Sequence, residues 1–405
     1  MPSFPPWRWS RRLAAIVLCL GIGLRIVPLL IAPDAPLATC DGRGYWNLAT
    51  NLAAGRGLSI DDPVVAQQLC PLGFGPGHHF SPLLPIIEAG FILALGPGLP
   101  ALVASLITVS LAMIGVVYWT TRDLFGRDAA LAVSALMSIE WTTVLFGTRQ
   151  GYSESLVLLT LVLTLWAILK SLSDERYIMI AGLAAGLGYL SKASAGWFFL
   201  IAGLGGLSWR LVHRGWRVFL DRNYLGAILI FGSIFGAWSA RNLYHFWDGT
   251  PRGLLTQWQT SELTARAIRL AFDEPGVFAF GLIGKFPILV LGVVVPLLGL
   301  HRLVWAGLRD WRREDVSGLW LASVLLFALG WLFAAAFWVT EQSDLLWADP
   351  IRYVATAIFP LAWLVILTRP DWREHRGWTI AYGVGLLLAV TMPFLLGQGR
   401  VLGSS

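Results

Sequence analysis

An all-α polytopic membrane protein is the fold class this chain predicts, and three observations carry that reading. Hydrophobic residues fill 56% of its 405 positions and charged residues only 13%, against roughly a quarter charged in a typical soluble domain. The apolar residues fall in long runs, each near the ~20 residues that a spanning helix needs, parted by short polar and often basic stretches. Twenty-one tryptophans fit the same class, because indole rings collect where membrane meets water. The formal charge of +6 is then an orientation signal carried by cytoplasmic loops, with no nucleic-acid partner implied.

The opening MPSFPPWRWSRR precedes an apolar run long enough to be a retained first helix, not a cleaved signal. Spanning helices are expected at 13–32, 100–120, 129–147, 154–171, 177–191, 195–209, 224–243, 276–300, 317–339, 351–368 and 378–397, about eleven in all. No internal repeat or soluble domain interrupts them. The expectation is one membrane domain over 1–405, with hydrophilic outer loops at 33–98 and 244–275 and interfacial helices in the first of these.

Topology turns on SPLLPIIEAGFILAL (81–95). It is short, carries Pro82, Pro85 and Glu88, and stops at Gly96-Pro97-Gly98, so it is expected to lie at the interface or dip in without crossing. Under that reading the N-terminus and the basic stretches 121–128, 173–176, 210–217, 301–315 and 369–376 share one side. Positive charge marks that side as cytoplasmic. The first loop, TRQGYSES (148–155), SKAS (191–194), SARN (239–242) and EQSDLLWADPIRY (341–353) then share the outer face.

A set of short signals runs through those outer segments. Asp41-Gly42-x-x-Tyr45 follows the first helix and leads through an Asn-Leu-Ala-rich segment to Gly55-Arg56-Gly57. A Pro-rich stretch runs from His79 to Pro85, then come Leu124 to Arg127, Ser153-Glu154, GLAAGLGYLSK (182–192), SARN (239–242) and Arg352-Tyr353. In this order the chain resembles the C-type membrane glycosyltransferases, in particular their protein O-mannosyltransferase and aminoarabinose-transferase branch. The resemblance implies a polyprenyl-phosphate sugar donor and an extracytoplasmic active site. It also implies an essential acid in the first loop, often as Asp-Glu, where Gly42 stands second here.

Breaking the bond between sugar C1 and a phosphate oxygen releases a stabilised anion that needs cations, while the acceptor hydroxyl needs a base or a polarising metal. Asp41 is the expected catalytic acid-bearing residue, as base or metal ligand; spacing alone makes it a helix N-cap. Glu154, in the first turn of its helix, is a substrate or metal candidate as well as a favourable charge for the helix dipole. The divalent metal itself is a candidate cofactor. Lys192, Arg241 and Arg352 are the expected phosphate contacts, with Arg149 and Arg252 as weaker members; each singly reads as snorkelling toward headgroups. Tyr45 and Tyr353 are candidates for sugar or lipid contact, and His79, beside His78, for acceptor or phosphate contact. The expected partners are the lipid-linked donor, membrane lipids and an acceptor glycan, lipid or protein. The expected location is a bacterial inner membrane with the N-terminus cytoplasmic.

Three further features stand apart from that chemistry. Arg25 and Glu140 lie about 18 and 16 Å up their helices at 1.5 Å per residue, which suggests an intramembrane ion pair. Cys40 and Cys70 in the outer loop allow a disulfide or two free thiols, while Cys19 lies in the first helix. ELTARAIRLAF (262–272) has the pattern of an amphipathic surface helix. The rival function is a lipid or lipid-linked-sugar transporter, which would show repeats and midplane polar sites; a scaffold subunit is the third reading.

Overall fold

The computed structural model describes residues 11–246, apart from 70–74, 77–79, 172, 193–195, 197–198, 200–201, 204–205, 208–209 and 212–214. Two compact units divide the chain, Met1–Leu200 with Arg214–Asp248, and Ile201–His213 with Gly249–Ser405. Nearly all described residues belong to the first. The expected helices from 276 onward, the surface helix at 262–272, and Arg252, Arg352, Tyr353, His78, His79 and Cys70 lie outside them.

The first unit is helical: α1 (Arg11–Ile31), α2 (Cys40–Ala53), α3 (Leu83–Leu95), α4 (Leu99–Phe125), α5 (Arg127–Ser138), α6 (Trp141–Val144), α7 (Glu154–Lys170), α8 (Tyr177–Ser191) and α9 (Arg222–Phe246). A two-residue antiparallel pair, Ser59–Ile60 with Gly75–Pro76, is the extended structure among the described residues. Three described helices are long and apolar enough to cross a membrane: Arg11–Ile31, Leu99–Phe125 and Arg222–Asn242. The chain is thus an all-α polytopic membrane protein, and leucines on α1 such as Leu13, Leu20 and Leu30 stay exposed, as lipid-facing side chains do.

Contacts along α1 show which helix ends share a side. Leu29 packs with Leu102 and Leu106, and the Arg25 guanidinium donates to Ser110 Oγ at 2.9 Å, so α4 runs antiparallel to α1. Arg11 pairs with Asp128 at 3.0 Å and Ser138 Oγ donates to the Val17 carbonyl at 3.3 Å, so α5 runs parallel to α1. Asp123, near the end of α4, holds Lys170 at 3.0 Å and Trp166 Nε1 at 2.9 Å, both near the end of α7. The end where α1 finishes is called the upper end below.

α3 settles between α2 and α4. It has 13 residues, about 20 Å at 1.5 Å per residue, against a hydrocarbon core of about 30 Å. Gly96 (φ +85°) turns the chain sharply into α4, and the two helices form a hairpin. Ala89 and Ile92 pack with Ala101, while Leu84 joins the cluster of Val109, Tyr45 and Leu48. α3 therefore rises alongside less than half of α4, ends where α4 begins, and is too short to cross a hydrocarbon core of that thickness.

Two departures from expectation concern helix boundaries. The predicted helix 129–147 is broken: α5 ends at Ser138, α6 starts at Trp141, and a π-turn covers Leu145–Arg149. The predicted helix 100–120 extends to Phe125, so α4 has 27 residues, enough to overshoot the bilayer and carry α2 and α3 on its upper third. Elsewhere small residues set the packing. A side chain at Gly182 would overlap the Ala227 backbone and one at Gly186 would overlap Ile234, so α8 and α9 approach closely through a small-xxx-small face.

Glu88 is fully buried on α3, and neither carboxyl oxygen has a hydrogen-bond partner among the described residues. Burial pushes its carboxyl well above the usual range, so the folded chain keeps a proton that the unfolded chain releases near pH 4.3 (about the model-peptide value). The stability this residue allows is complete below that pH and falls as pH rises toward the raised folded value. Glu88→Gln is expected to flatten the alkaline loss of thermal stability in detergent between about pH 5 and 9; equal pH slopes for both proteins would contradict it.

Candidate active site

Asp41 sits in the first turn of α2. The cap of that helix is Thr39, whose Oγ1 accepts the Gly42 N–H at 3.1 Å, which corrects the expectation that Asp41 itself is the N-cap. A threonine two positions earlier leaves Asp41 inside the helix, near its positive end. Thr39 Oγ1 also lies 2.9 Å from the Gln150 carbonyl as donor, binding the start of α2 to the turn before α7. Gly42 has no room for a side chain: any Cβ would overlap the Pro36 and Gln150 carbonyls. A second acid beside Asp41 is sterically shut out here.

Tyr45 is one turn further along α2 and buried. Its hydroxyl lies 3.3 Å from Ser153 Oγ and its ring 5.1 Å from that of Phe80. Its surroundings are protein rather than an open interface. Ser153 precedes Glu154, the first residue of α7. The Glu154 carboxylate accepts from Lys192 Nζ at 2.6 Å, and the two side chains are 7% and 15% exposed. Lys192 caps the end of α8 in extended conformation. An acid at the start of α7 and a base at the end of α8 each suit their own helix dipole, and the antiparallel packing of α7 and α8 brings them together.

Arg241 reaches the same end from α9. Tyr189 OH lies 3.3 Å from Ser239 Oγ, so α8 and α9 run parallel with Lys192 and Arg241 near one level. The guanidinium donates to Asn242 Oδ1 at 2.9 Å and to the Leu58 carbonyl at 3.2 Å, and stands 4.7 Å from the centre of the Trp238 ring. It therefore ties α9 to the first loop. That loop is itself built on the polar face of α2: Arg43 pairs with Asp62 at 2.7 Å, Asn51 donates to the Ser59 carbonyl at 2.7 Å, and Asn47 donates to Asp61 at 2.7 Å. Hydrogen bonds from Asn47 and Asn51 hold the Asp61 carboxyl below its usual range. Cys40 is disulfide-bonded and Cys19 is a free thiol.

Asp41, Tyr45, Glu154, Lys192 and Arg241 thus gather at the upper end of the first unit, from α2, α7, α8 and α9. Arg149 is exposed on the π-turn nearby. Residues that the sequence did not single out complete the arrangement: Thr39, the Gln150 and Leu58 carbonyls, and Trp238. Only Thr39 carried a legible signal, as a capping residue before an apolar-periodic segment. No group of three His, Cys, Asp or Glu side chains gathers as a metal set among the described residues. Lys192 takes Glu154 Oε1, and no third acidic, histidine or cysteine side chain joins Asp41 and Glu154 as a metal set among the described residues.

The fold is similar to that of two solved proteins, and a family model matches part of the chain. Residues 81–238 match the dolichyl-phosphate-mannose-protein mannosyltransferase family. Among solved structures, ArnT from Cupriavidus metallidurans bound to undecaprenyl phosphate superposes with a TM-score of 0.54 at 17% identity, over 93% of this chain and 63% of that one. An oligosaccharyltransferase from Archaeoglobus fulgidus, in complex with Zn and sulfate, does so with a TM-score of 0.55 at 14% identity, over 94% of this chain and 53% of that one. The chain spans less than two thirds of the length of either. No curated protein matches it by sequence.

Removing one partner of a buried ion pair leaves a stranded charge. Glu154→Leu and Lys192→Met are each expected to cost roughly 3–5 kcal/mol of stability, and the double variant less than their sum. Denaturation of the four proteins in one detergent measures this; strict additivity would mean that the pair is solvated.

Proposed function

We propose that the chain is a membrane glycosyltransferase that moves a sugar from a polyprenyl-phosphate donor to an acceptor hydroxyl at the extracytoplasmic face. The observation that carries this reading is the placement of an acid, a buried ion pair and an arginine, from four separate helices, at one end of the first unit. ArnT binds undecaprenyl phosphate, and a lipid phosphate suits a cationic site beside apolar helix faces.

In this reading the whole chain, 1–405, works as one transferase. Asp41 takes the proton of the acceptor hydroxyl as it attacks C1, and the lipid phosphate leaves as an anion. Glu154 neutralises and orients Lys192, so the net positive charge that holds the leaving phosphate comes from Arg241, joined by Arg352. Tyr353 and His79 line the sugar and acceptor side, while the buried Tyr45 holds Ser153 from behind. Basic lower loops make that side cytoplasmic with the N-terminus, and the membrane is a bacterial inner membrane. The donor supplies a hexose or pentose, and the acceptor is a glycan, lipid or protein.

Purified protein incubated with a panel of labelled prenyl-phosphate sugars is expected to release lipid phosphate. Asp41→Asn should lower turnover by about a hundred- to ten-thousand-fold with unchanged expression and thermal stability. Undiminished turnover in that variant would remove Asp41 from the reaction. Movement of intact labelled donor across vesicles, without bond cleavage, would replace the enzyme with a transporter.

A further inference from the structure

The break between α5 and α6 lies in the middle of an apolar segment that contains no proline. Breaking a helix at that depth frees carbonyls and N–H groups that lipid cannot satisfy. Two buried charges take them up. Arg25, with no exposed surface, donates from Nε to the Ser138 carbonyl at 3.2 Å and from Nη2 to the Met137 carbonyl at 2.9 Å. Those are the last carbonyls of α5, the negative end of its dipole. Glu140, 1% exposed, accepts the Thr143 N–H at 2.8 Å at the start of α6, the positive end of the next piece. Thr143 Oγ1 joins them, accepting from Arg25 at 2.8 Å and donating to the Glu140 carbonyl at 3.1 Å. The two charges interact. The expected ion pair between helices is therefore a double cap, in which each charge completes one side of a broken helix.

Beyond the break, the short α6 and the π-turn run straight to the candidate site. The Gln150 carbonyl accepts from Thr39, the cap of the helix that carries Asp41. Tyr152 N–H donates to the Phe146 carbonyl at 2.7 Å, and Ser153 meets Tyr45. An unbroken helix would need neither charge and would deliver residue 150 at a different place.

We infer that Arg25 and Glu140 are positioning residues for the upper-end site: by holding the break open at one angle, they set where Gln150 and Ser153 meet α2, and so where Asp41 stands. The activity arm of the test rests on the glycosyltransferase reading; the exchange arm does not.

Full-length protein in lipid nanodiscs is compared with Glu140→Leu, Glu140→Gln and Arg25→Lys by hydrogen exchange and by lipid-phosphate release. Glu140→Leu is expected to raise exchange across both 39–45 and 145–153 while leaving 177–191 unchanged, since local opening follows cooperative units. Its kcat should fall about a hundredfold, the scale of a small misplacement, with KM for the donor kept. Glu140→Gln retains an acceptor for the Thr143 N–H and should restore both readouts. Arg25→Lys keeps the charge but cannot span two carbonyls and two hydroxyls, so it should show the same pattern in milder form, and it decides the matter if Glu140→Leu fails to fold. Exchange confined to 137–144, or an unchanged kcat where 39–45 has loosened, would overturn the inference. If the wild-type protein releases no lipid phosphate from any donor, the glycosyltransferase reading falls, and the exchange pattern alone still decides the coupling.

Discussion

Thirteen residues make about 20 Å of helix, and a membrane asks for about 30. Everything at the upper end follows from that shortfall in α3. Because α3 is too short to cross, α4 starts at the end where α1 finishes, and the described helices α4 to α9 keep the opposite parity from the one a crossing would impose. The start of α2, the start of α7, the end of α8 and the end of α9 then share one end, and their polar residues meet. The length of α4 helps: its upper third rises beyond α7 and gives α2 and α3 a wall to lean on.

Buried charge is handled in three ways within this one bundle. Glu154 and Lys192 meet directly at 2.6 Å where two helix ends of opposite dipole lie together. Arg25 and Glu140 spend their hydrogen bonds on the two raw ends of a broken helix and reach each other through a threonine. Glu88 has no hydrogen-bond partner for its carboxyl among the described residues, and burial raises its pKa toward the protonated form. Such groups are costly inside a membrane protein and are rarely kept without a use. The first two cases brace the segments on either side of Asp41.

Much of this architecture is legible in the sequence, where physical signals are strong. Hydropathy and capping place α1, α7 and α8 within a residue or two, and the Gly96-Pro97-Gly98 turn foretells where the short α3 ends. Lys192 and Glu154 were visible as helix-end charges, but not their pairing, because the register of α7 on α8 depends on side chains far apart in sequence. The break after Ser138 was hidden for another reason: Ser138-Ile139-Glu140 carries no proline or glycine, and the agent that stabilises it, Arg25, comes from another helix. Equal depth exposes Arg25 and Glu140 as partners without showing that their main partners are backbone groups, carbonyls for Arg25 and an N–H for Glu140. Spacing alone makes Asp41 a cap, and Thr39, two residues earlier, does that work instead. Gly42, where the resemblance leads one to expect an acid, makes sense only once the Pro36 and Gln150 carbonyls are seen against it.

Sidedness is the most direct test, since the account fails without it. In a Cys19→Ser background with the Cys40 bridge left oxidised, single cysteines replace the exposed residues Ala54, Pro97 and Ser173, and intact cells are treated with a thiol reagent that does not cross membranes. The account predicts labelling at positions 54 and 97 together, with position 173 labelled only after the membrane is opened. Labelling of 54 and 97 from opposite sides would mean that α3 crosses, and would leave the acid and the cations in different compartments.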